Sequence, residues 1–283
     1  MYEITQKRVL NSQVRLYEVK APRVASKALP GQFIMIRVND TGERIPFTIS
    51  MADADRGTVT FIAQDAGKTT KLLDSLNEGD SLLNLAGPLG QPTRFEDGVK
   101  RAIVIGGGLG IAIAYPQSKG LLSRGARVDT IVGFRSANLV IMEDELRAAC
   151  SRLIVTTDDG TYGEKGFVTE ALKRLLGSGV AYDVVVAIGP PVMMRAVCEI
   201  TRPLAINTVV SLNPIMVDGT GMCGCCRVTV GGQTRFACVD GPDFNGHEVD
   251  FNELMKRNAM YREHEKTSLE QHICNLEAAE KNG

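Results

Sequence analysis

The chain has 283 residues with a formal net charge of −1, and 44% of its residues are hydrophobic and 23% charged. This composition is ordinary for a soluble globular protein, and the length allows two domains plus an appendage. The near-neutral charge favours neither nucleic acid nor an anionic membrane surface as a partner. No apolar run approaches the roughly 20 residues of a membrane span, and the polar N-terminus predicts no secretory signal. Four of the seven cysteines fall between residues 223 and 238, which argues against a disulfide framework and favours a reducing cytoplasm.

Residues 1–97 are predicted to form a small antiparallel β-barrel domain. Short runs rich in apolar and β-branched residues alternate with Gly, Pro, Asn and Asp, which is typical of strands joined by turns. The predicted strands are VRLYEVKAP, GQFIMIRV, RIPFTIS, GTVTFIAQ and DSLLNLAGPLG. One helix is predicted from Thr69 to Leu76, because its leucines recur on one face.

Residues 98–213 are predicted to form a doubly wound α/β domain around a parallel sheet. Continuous apolar runs that end in Gly, Ser or Asp are typical of parallel strands buried on both faces. These runs are RAIVIGGG, VDTIVGFRS, RLIVTTDDG and DVVVAIGP. Helices are predicted between them, over 111–124, 140–149, 166–176 and 191–201. Alternating strands and helices indicate the doubly wound arrangement.

The end of the chain differs from both domains. Residues 214–246 form a small cysteine module, and residues 247–283 are rich in Lys, Arg and Glu with apolar side chains spaced among them. We expect one or two amphipathic helices in this extension, in contact with a partner.

A glycine cluster follows the first strand of the α/β domain. Gly107, Gly108 and Gly110 stand between that strand and a predicted helix, where backbone N–H groups and the helix dipole can bind a pyrophosphate. The alternative is a tight turn without a ligand. Asp158 and Gly189 end two further strands, and ligands bind beyond the carboxyl ends of parallel strands.

The end of the second strand bears on which nicotinamide cofactor binds. Arg135 stands there with no acidic residue in 133–136. A carboxylate would favour NAD, whereas an arginine can accommodate the phosphate of NADP. From these residues alone the preference leans slightly to NADP.

A second candidate site lies on the barrel strand that begins at Arg44. The guanidinium of Arg44 can bind a diphosphate, and Pro46, Phe47 and Thr48 offer a strand against which a flat ring could lie. The helix start formed by Gly67, Thr69 and Thr70 offers hydroxyls and free N–H groups for a second phosphate contact. The alternative is an exposed arginine on an ordinary strand and a helix-capping threonine.

The cysteine module has the spacing of a metal site. Cys223, Cys226 and Cys238 follow the pattern C-x2-C-x11-C, and the glycines among them permit a tightly folded loop. An iron–sulfur cluster takes four ligands, and Asp218 and Cys225 are both candidates for the fourth. A zinc site of the three cysteines with His247 is the main alternative.

Taken in chain order, residues 1–213 resemble the ferredoxin–NADP reductase superfamily. The resemblance is carried by the Arg-x-Pro-Phe-Thr strand, the Gly-x-Thr-Thr helix start and the glycine cluster of the following nucleotide domain. It implies FAD on the barrel and a nicotinamide cofactor on the α/β domain, with the cofactors carrying out the hydride chemistry. No catalytic side chain is predicted, because no Ser–His–Asp array is present.

The cysteine module resembles that of the electron-transfer subunit of dihydroorotate dehydrogenase. The segment Cys238-Val-Asp-Gly-Pro-Asp-Phe244 matches the end of that family's motif, but Asp218 occupies the place of its first cysteine. An aspartate at this place, and the extended C-terminus, resemble the small subunit of NADH-dependent ferredoxin:NADP oxidoreductase, also called sulfide dehydrogenase subunit beta. The resemblance implies a [2Fe–2S] cluster on Asp218, Cys223, Cys226 and Cys238, and NAD(H) rather than NADP(H) on this subunit.

This second resemblance also implies a partner. The partner would be a larger flavoprotein subunit that binds NADP(H) and [4Fe–4S] clusters, in a heterodimer or larger assembly that exchanges electrons with ferredoxin and bifurcates them. The alternatives are an electron-transfer subunit of dihydroorotate dehydrogenase or of a sulfide dehydrogenase. A third, from another class, is a regulator that senses redox state through the cluster.

Overall fold

The computed structural model describes the backbone of residues 1–282 and the side chains of residues 1–271, 273 and 274. Residue 283, the last of the predicted C-terminal extension, lies outside this range. Three regions follow one another along the described chain: an antiparallel barrel, a parallel-sheet unit and a cysteine module that leads into two helices.

The barrel is built from two antiparallel sheets that share one core. Its strands are β1 (Tyr2–Val9), β2 (Val14–Lys20), β3 (Phe33–Arg37), β4 (Arg44–Thr48), β5 (Met51–Asp53), β6 (Thr58–Gln64), β7 (Ser81–Leu82) and β8 (Asn84–Leu89). One sheet has the order β5-β6-β2-β1-β7 and the other β4-β3-β8. Tyr17, Ile34 and Phe61 meet in the core between the sheets. Two short helices complete the region, α1 (Pro22–Ala25) and α2 (Lys68–Asp74).

The antiparallel barrel expected from the sequence is present, and two of its strands, β1 and β5, were not predicted. Strand β1 carries Glu3, Lys7 and Arg8, and Ile4 is its single buried side chain. A strand that buries so little apolar surface lacks the alternating pattern by which strands are recognised.

The parallel-sheet unit is doubly wound, as the sequence predicts. Its parallel strands are β9 (Arg101–Gly107), β10 (Arg127–Phe134), β11 (Arg152–Thr157), β12 (Glu164–Lys165), β13 (Val184–Ile188) and β14 (Asn207–Ser211). Its helices are α3 (Ile111–Ser123), α4 (Glu143–Ala148), α5 (Val168–Leu176) and α6 (Pro191–Thr201). Helices α3 and α4 pack on one face of the sheet, and α5 and α6 pack on the other.

The cysteine module is joined to the parallel sheet by a strand. The hairpin β15 (Arg227–Val230) and β16 (Gln233–Phe236) follows the cysteine loop, and β17 (Asp243–Asn245) then pairs antiparallel with β14. The seven-stranded sheet therefore has the order β12-β11-β10-β9-β13-β14-β17 and extends past residue 213, the predicted end of the nucleotide domain.

Two helices follow, α7 (Phe251–Asn258) and α8 (Arg262–Asn282). Phe251 and Leu254 of α7 are buried in the core that α5 and α6 form on the sheet. Helix α8 runs alongside α2 of the barrel. Among the helices described here, none combines the length and the apolar character that crossing a membrane requires.

Candidate functional site: a cofactor cleft and a cysteine loop

A cleft of about 1080 Å³ separates the barrel from the carboxyl edge of the parallel sheet. It brings together most of the residues predicted from the two candidate nucleotide sites. These lining residues are Pro46, Phe47 and Thr48 from the barrel and Gly107, Gly108, Gly110, Arg135, Asp158 and Gly189 from the sheet edge. The parallel strands place their carboxyl ends at one edge, and the barrel packs across that edge. A cleft between two such elements is a common position for a cofactor.

The glycine loop approaches the neighbouring strand too closely for a side chain. A Cβ atom at Gly110 would lie 2.2 Å from the carbonyl oxygen of Ile188, so only glycine fits where α3 begins. Gly108 has a positive φ of 55°, and no atom lies within 4 Å of the place that a Cβ atom would take there. Its backbone therefore faces open space at the start of the helix, as a phosphate-binding loop requires.

Strand β4 presents alternating side chains to the core and to the cleft. The ring of Phe47 stacks on Phe61, with centroids 4.8 Å apart and an interplanar angle of 26°, in the barrel core. Pro46 and Thr48 lie on the opposite face of the strand. Since the Phe47 ring belongs to the core, a planar cofactor on this strand would meet its backbone and its two neighbours.

The remaining predicted barrel residues do not line the cleft in the described part of the chain. Arg44 is exposed at the start of β4. At the start of α2, Thr69 donates a hydrogen bond to Glu43, and Thr70 accepts the backbone N–H of Gly67 at 2.9 Å. These threonine hydroxyls are thus already bonded within the protein, and a phosphate there would have to replace those contacts.

Several cleft residues were not found by the sequence interpretation. Phe167, which is 61% exposed, precedes α5, and Ser211 and Asn213 follow from the end of β14. Ser211 and Asn213 lie at the end of a parallel strand, which is a position typical of ligand-binding residues, but β14 itself was not predicted. Phe167 lies after a glycine in a turn, where no sequence period marks a binding residue.

The cysteine loop buries two of its thiols side by side and leaves that of Cys223 exposed. Cys226 and Cys238 are each only 2% exposed, and the backbone N–H of Cys238 donates to the Cys226 sulfur at 3.4 Å. Burial raises the pKa of Cys238 to about 12, and the neighbouring Cys226 and Cys223 thiols act in the same direction. The Cys238 thiol therefore stays protonated at neutral pH unless a metal displaces the proton, so it suits metal ligation better than thiol catalysis.

Asp218 lies on the same loop but directs its carboxylate to the backbone. Its Oδ2 atom accepts hydrogen bonds from the N–H of Thr220 at 2.9 Å and of Met222 at 3.4 Å. The largest cause of the lowered pKa of Asp218 is a hydrogen bond from the Thr220 hydroxyl. The two backbone bonds and the positive charge of Arg44 lower this pKa further. The carboxylate is therefore anionic, as a ligand must be. Among the described residues no three potential ligands converge on one point.

The loop nevertheless fits a cluster in its donor set and its backbone. Gly219, Gly221 and Gly224 all have positive φ angles and curl the chain around the thiols. The Nε atom of Arg257, beside this loop, is buried without a hydrogen-bond partner in the described structure. A buried orphan donor of this kind indicates a missing acceptor.

The structure sets His247 apart from this group but leaves Cys225 beside Cys223. The His247 ring shares a hydrogen bond of 3.0 Å with Thr201 on α6, which turns it away from the cysteines. Cys225 is half-buried and, like Cys223, lines a small cavity between the loop and the C-terminal end of α7. The zinc arrangement with His247 therefore finds no support in the described geometry.

A buried polar group joins the three regions. Asp243 on β17 accepts hydrogen bonds from Thr93 and, at 3.4 Å, from Gln117 of α3. Burial raises the pKa of Asp243, and hydrogen bonds from Ser211, Thr93 and Gln117 partly oppose this. The group links the end of the barrel, the helix of the glycine loop and the strand that follows the cysteine loop.

Comparison with known proteins matches the two cofactor regions separately. Residues 1–93 match the oxidoreductase FAD-binding domain, and residues 213–250 match the iron–sulfur cluster binding domain of dihydroorotate dehydrogenase B. The fold and these two sites define an NAD(P)H-linked flavin and iron–sulfur oxidoreductase subunit.

Relatives extend this match to the whole chain. A Thermotoga maritima homologue of the dihydroorotate dehydrogenase B (NAD+) electron-transfer subunit is 44% identical over 96% of this chain and 95% of its own length. A Clostridium beijerinckii protein, named only as uncharacterized in the adh 3′ region, is 49% identical over 94% of this chain and 92% of its own length. The chain belongs to the family of dihydroorotate dehydrogenase B electron-transfer subunits and their homologues.

A solved structure is similar over the same span. The structure of NADH-dependent reduced ferredoxin-NADP oxidoreductase, described for flavin-based electron bifurcation, has 43% identity and a TM-score of 0.91. The similarity covers 96% of this chain and 98% of that one. The cofactors are accordingly FAD and a [2Fe–2S] cluster, and NAD(H) fits the ferredoxin-reductase-like fold. As the relatives are electron-transfer subunits, a larger partner subunit is implied.

Proposed function

We propose that this chain is the NAD-linked electron-transfer subunit of a bifurcating NADH-dependent ferredoxin:NADP oxidoreductase. The observation that carries the proposal is the similarity over nearly the whole chain to the solved oxidoreductase of that activity. Asp218, in place of a cysteine, supports this choice over dihydroorotate oxidation. The partner would be a larger flavoprotein subunit with [4Fe–4S] clusters, and ferredoxin would react through the complex in the cytoplasm.

The proposed cofactor contacts combine residues that line the cleft with residues at the starts of β4 and α2 that lie outside its lining. The backbone of β4 at Pro46, Phe47 and Thr48 would support the flavin ring, with Arg44, Gly67, Thr69 and Thr70 toward its phosphates. The glycine loop would bind the nicotinamide cofactor's pyrophosphate, with Arg135, Asp158 and Gly189 at the neighbouring strand ends. FAD, when bound, exchanges a hydride with nicotinamide and single electrons with iron–sulfur centres.

The residues of this chain position the bound cofactors and enclose them. The cleft faces of the barrel and the sheet oppose each other, so two ring systems bound to them would be held at one place. Apolar side chains such as Ile62, Phe134 and Met193 line the cleft and limit access of water. The proposed cluster ligands are Asp218, Cys223, Cys226 and Cys238.

Exposed apolar side chains support a partner near the cysteine loop. Val217, Met222 and Met260 are 55%, 87% and 57% exposed, and all lie in or beside this loop and the following helices. Exposed apolar groups collected in one region mark interaction surfaces. Electrons leaving the cluster would therefore cross directly into the covering subunit.

The test is anaerobic purification of the native complex through a tag on this chain. The proposal expects stoichiometric FAD, a [2Fe–2S] electron paramagnetic resonance signal, flavin bleaching by NADH, and NADP reduction that needs both NADH and reduced ferredoxin. Dihydroorotate-dependent NAD reduction with an orotate-forming partner would replace the proposal by the second candidate. A chain that binds the cluster but lacks FAD would instead be a redox-sensing regulator.

A further inference from the structure

Helix α7 is placed beside the cysteine loop by its own packing. The iron–sulfur domain match ends at residue 250, and α7 begins at Phe251. Phe251 and Leu254 are buried against the core of the parallel-sheet unit, and α7 also contacts β15, the strand that directly follows Cys226. The helix is therefore fixed, and its side chains next to the loop have defined positions.

Arg257 on this helix reaches the loop. Its Nη2 atom donates a hydrogen bond of 3.1 Å to the backbone oxygen of Cys225. Its side chain also lines a cavity of about 240 Å³ together with Cys223, Cys225 and Arg227. The guanidinium thus holds the segment between two proposed cluster ligands, Cys223 and Cys226.

Part of the Arg257 donor capacity is unused. Its Nε atom is buried without a hydrogen-bond partner, and no carboxylate lies within ion-pair distance of Arg257 among the described residues. A buried N–H of a charged group without an acceptor is costly, and arginine stays protonated in proteins. An acceptor on the completed loop would satisfy this N–H, and the sulfur atoms of an iron–sulfur cluster accept hydrogen bonds.

We infer that Arg257 is a positioning residue for the [2Fe–2S] cluster: it fixes the loop at Cys225 and sets a positive charge beside the cluster. This inference rests on the cluster ligands of the proposed function and not on bifurcation or on the partner. One-electron reduction adds a negative charge to the cluster. A neighbouring guanidinium without a carboxylate counter-charge stabilises the reduced form more than the oxidised form and raises the reduction potential.

The experiment is a redox titration of the full-length protein holding FAD and cluster, followed by the electron paramagnetic resonance signal of the reduced cluster. At a fixed applied potential, Arg257→Gln is expected to lower the ratio of reduced to oxidised cluster by about threefold to tenfold, tenfold being 59 mV for one electron. Arg257→Lys keeps the charge and is expected to recover most of this ratio. Lys256→Gln, an exposed charge on the same helix, is the matched control and should change the ratio less than about twofold.

Two results would overturn the inference. One is a ratio of reduced to oxidised cluster in Arg257→Gln that equals the wild-type ratio, or that falls no further than it falls in Lys256→Gln. The other is loss of the cluster in both Arg257→Gln and Arg257→Lys while FAD is retained, which would make Arg257 only a structural support. If wild-type protein holds FAD but no [2Fe–2S] signal, the ligand assignment itself fails, and that failure is recognised before any variant is made.

Discussion

The cofactor cleft and the cysteine loop are built in opposite ways. The cleft is lined by the ends of β9, β10, β11 and β13 and by strand β4, whose backbones are fixed by sheet hydrogen bonds. The cysteine loop has three glycines with positive φ, and Asp218 is bonded to its own backbone. The cleft is thus a continuous open groove, whereas the four proposed cluster ligands do not converge among the described residues.

The difference follows from which atoms bind. A dinucleotide is bound largely by backbone N–H groups and helix ends, and folding alone places these. A cluster is bound by side chains that must lose their protons, so the metal contributes the free energy that brings them together. We therefore expect substitutions in the cysteine loop to leave FAD binding intact, and modest substitutions in the cleft to leave the cluster intact.

The largest expected effect is on the loop. Cys226→Ala should abolish the [2Fe–2S] signal, because it removes a buried sulfur that contacts Cys238. FAD content, measured by absorbance of the released flavin, should remain close to that of the wild type. Cys225→Ala is the matched control and should keep both cofactors. Loss of FAD together with the cluster would show that the two sites are not independent.

The second expected effect tests the cleft. Gly110→Ala places a Cβ atom 2.2 Å from the Ile188 oxygen, and such overpacking costs about 1–3 kcal/mol or more. Gly108→Ala meets no atom within 4 Å but keeps a positive φ, at a cost of about 1–2 kcal/mol. Urea unfolding should therefore rank Gly110→Ala as the less stable variant, with reduced flavin bleaching by NADH and the cluster retained. The reverse ranking would contradict the close strand–helix contact.

A third effect separates the candidates for the fourth ligand. Asp218→Ala should lose most of the cluster, since it removes both a proposed ligand and the acceptor for Thr220 and Met222. Asp218→Cys should keep the cluster with an altered electron paramagnetic resonance spectrum, because a thiolate donates more charge to iron. An unchanged signal in Asp218→Ala, combined with its loss in Cys225→Ala, would reassign the ligand.

The smallest effect lies at the junction of the two regions. Burial raises the pKa of Asp243 above its ordinary value of 3.8, so the folded protein holds this proton at pH values where the unfolded chain releases it. The contribution of Asp243 to the free energy of unfolding is fully present below pH 3.8. It is lost as the pH rises through the pKa that this carboxyl has in the folded protein. Asp243→Asn should flatten this dependence and raise stability at neutral pH by on the order of 1 kcal/mol. Urea unfolding at several pH values checks it, and a steeper pH dependence would refute it.

The sequence was sufficient for the strands and helices that bury continuous apolar faces. Helix α6 begins and ends at the predicted residues, and α3 ends one residue before its predicted end. The strands missed were β1, β5, β12, β14, β15, β16 and β17. Strand β1 buries only Ile4, and β15 to β17 lie in a segment whose sequence is dominated by the cysteines. Their place depends on pairing partners far along the chain, which local patterns do not contain.

By itself the sequence determined the order of the regions, the cysteine spacing with Asp218 in the first place, and the glycines of the nucleotide loop. These are local features, set by backbone freedom and by the periodicity of apolar residues. Only the tertiary structure decided that the β4 strand faces the carboxyl ends of the parallel sheet, that the Phe47 ring belongs to the barrel core, and that Arg257 reaches the cysteine loop. Each of these depends on packing between distant segments, where burial of apolar surface fixes which side chains meet.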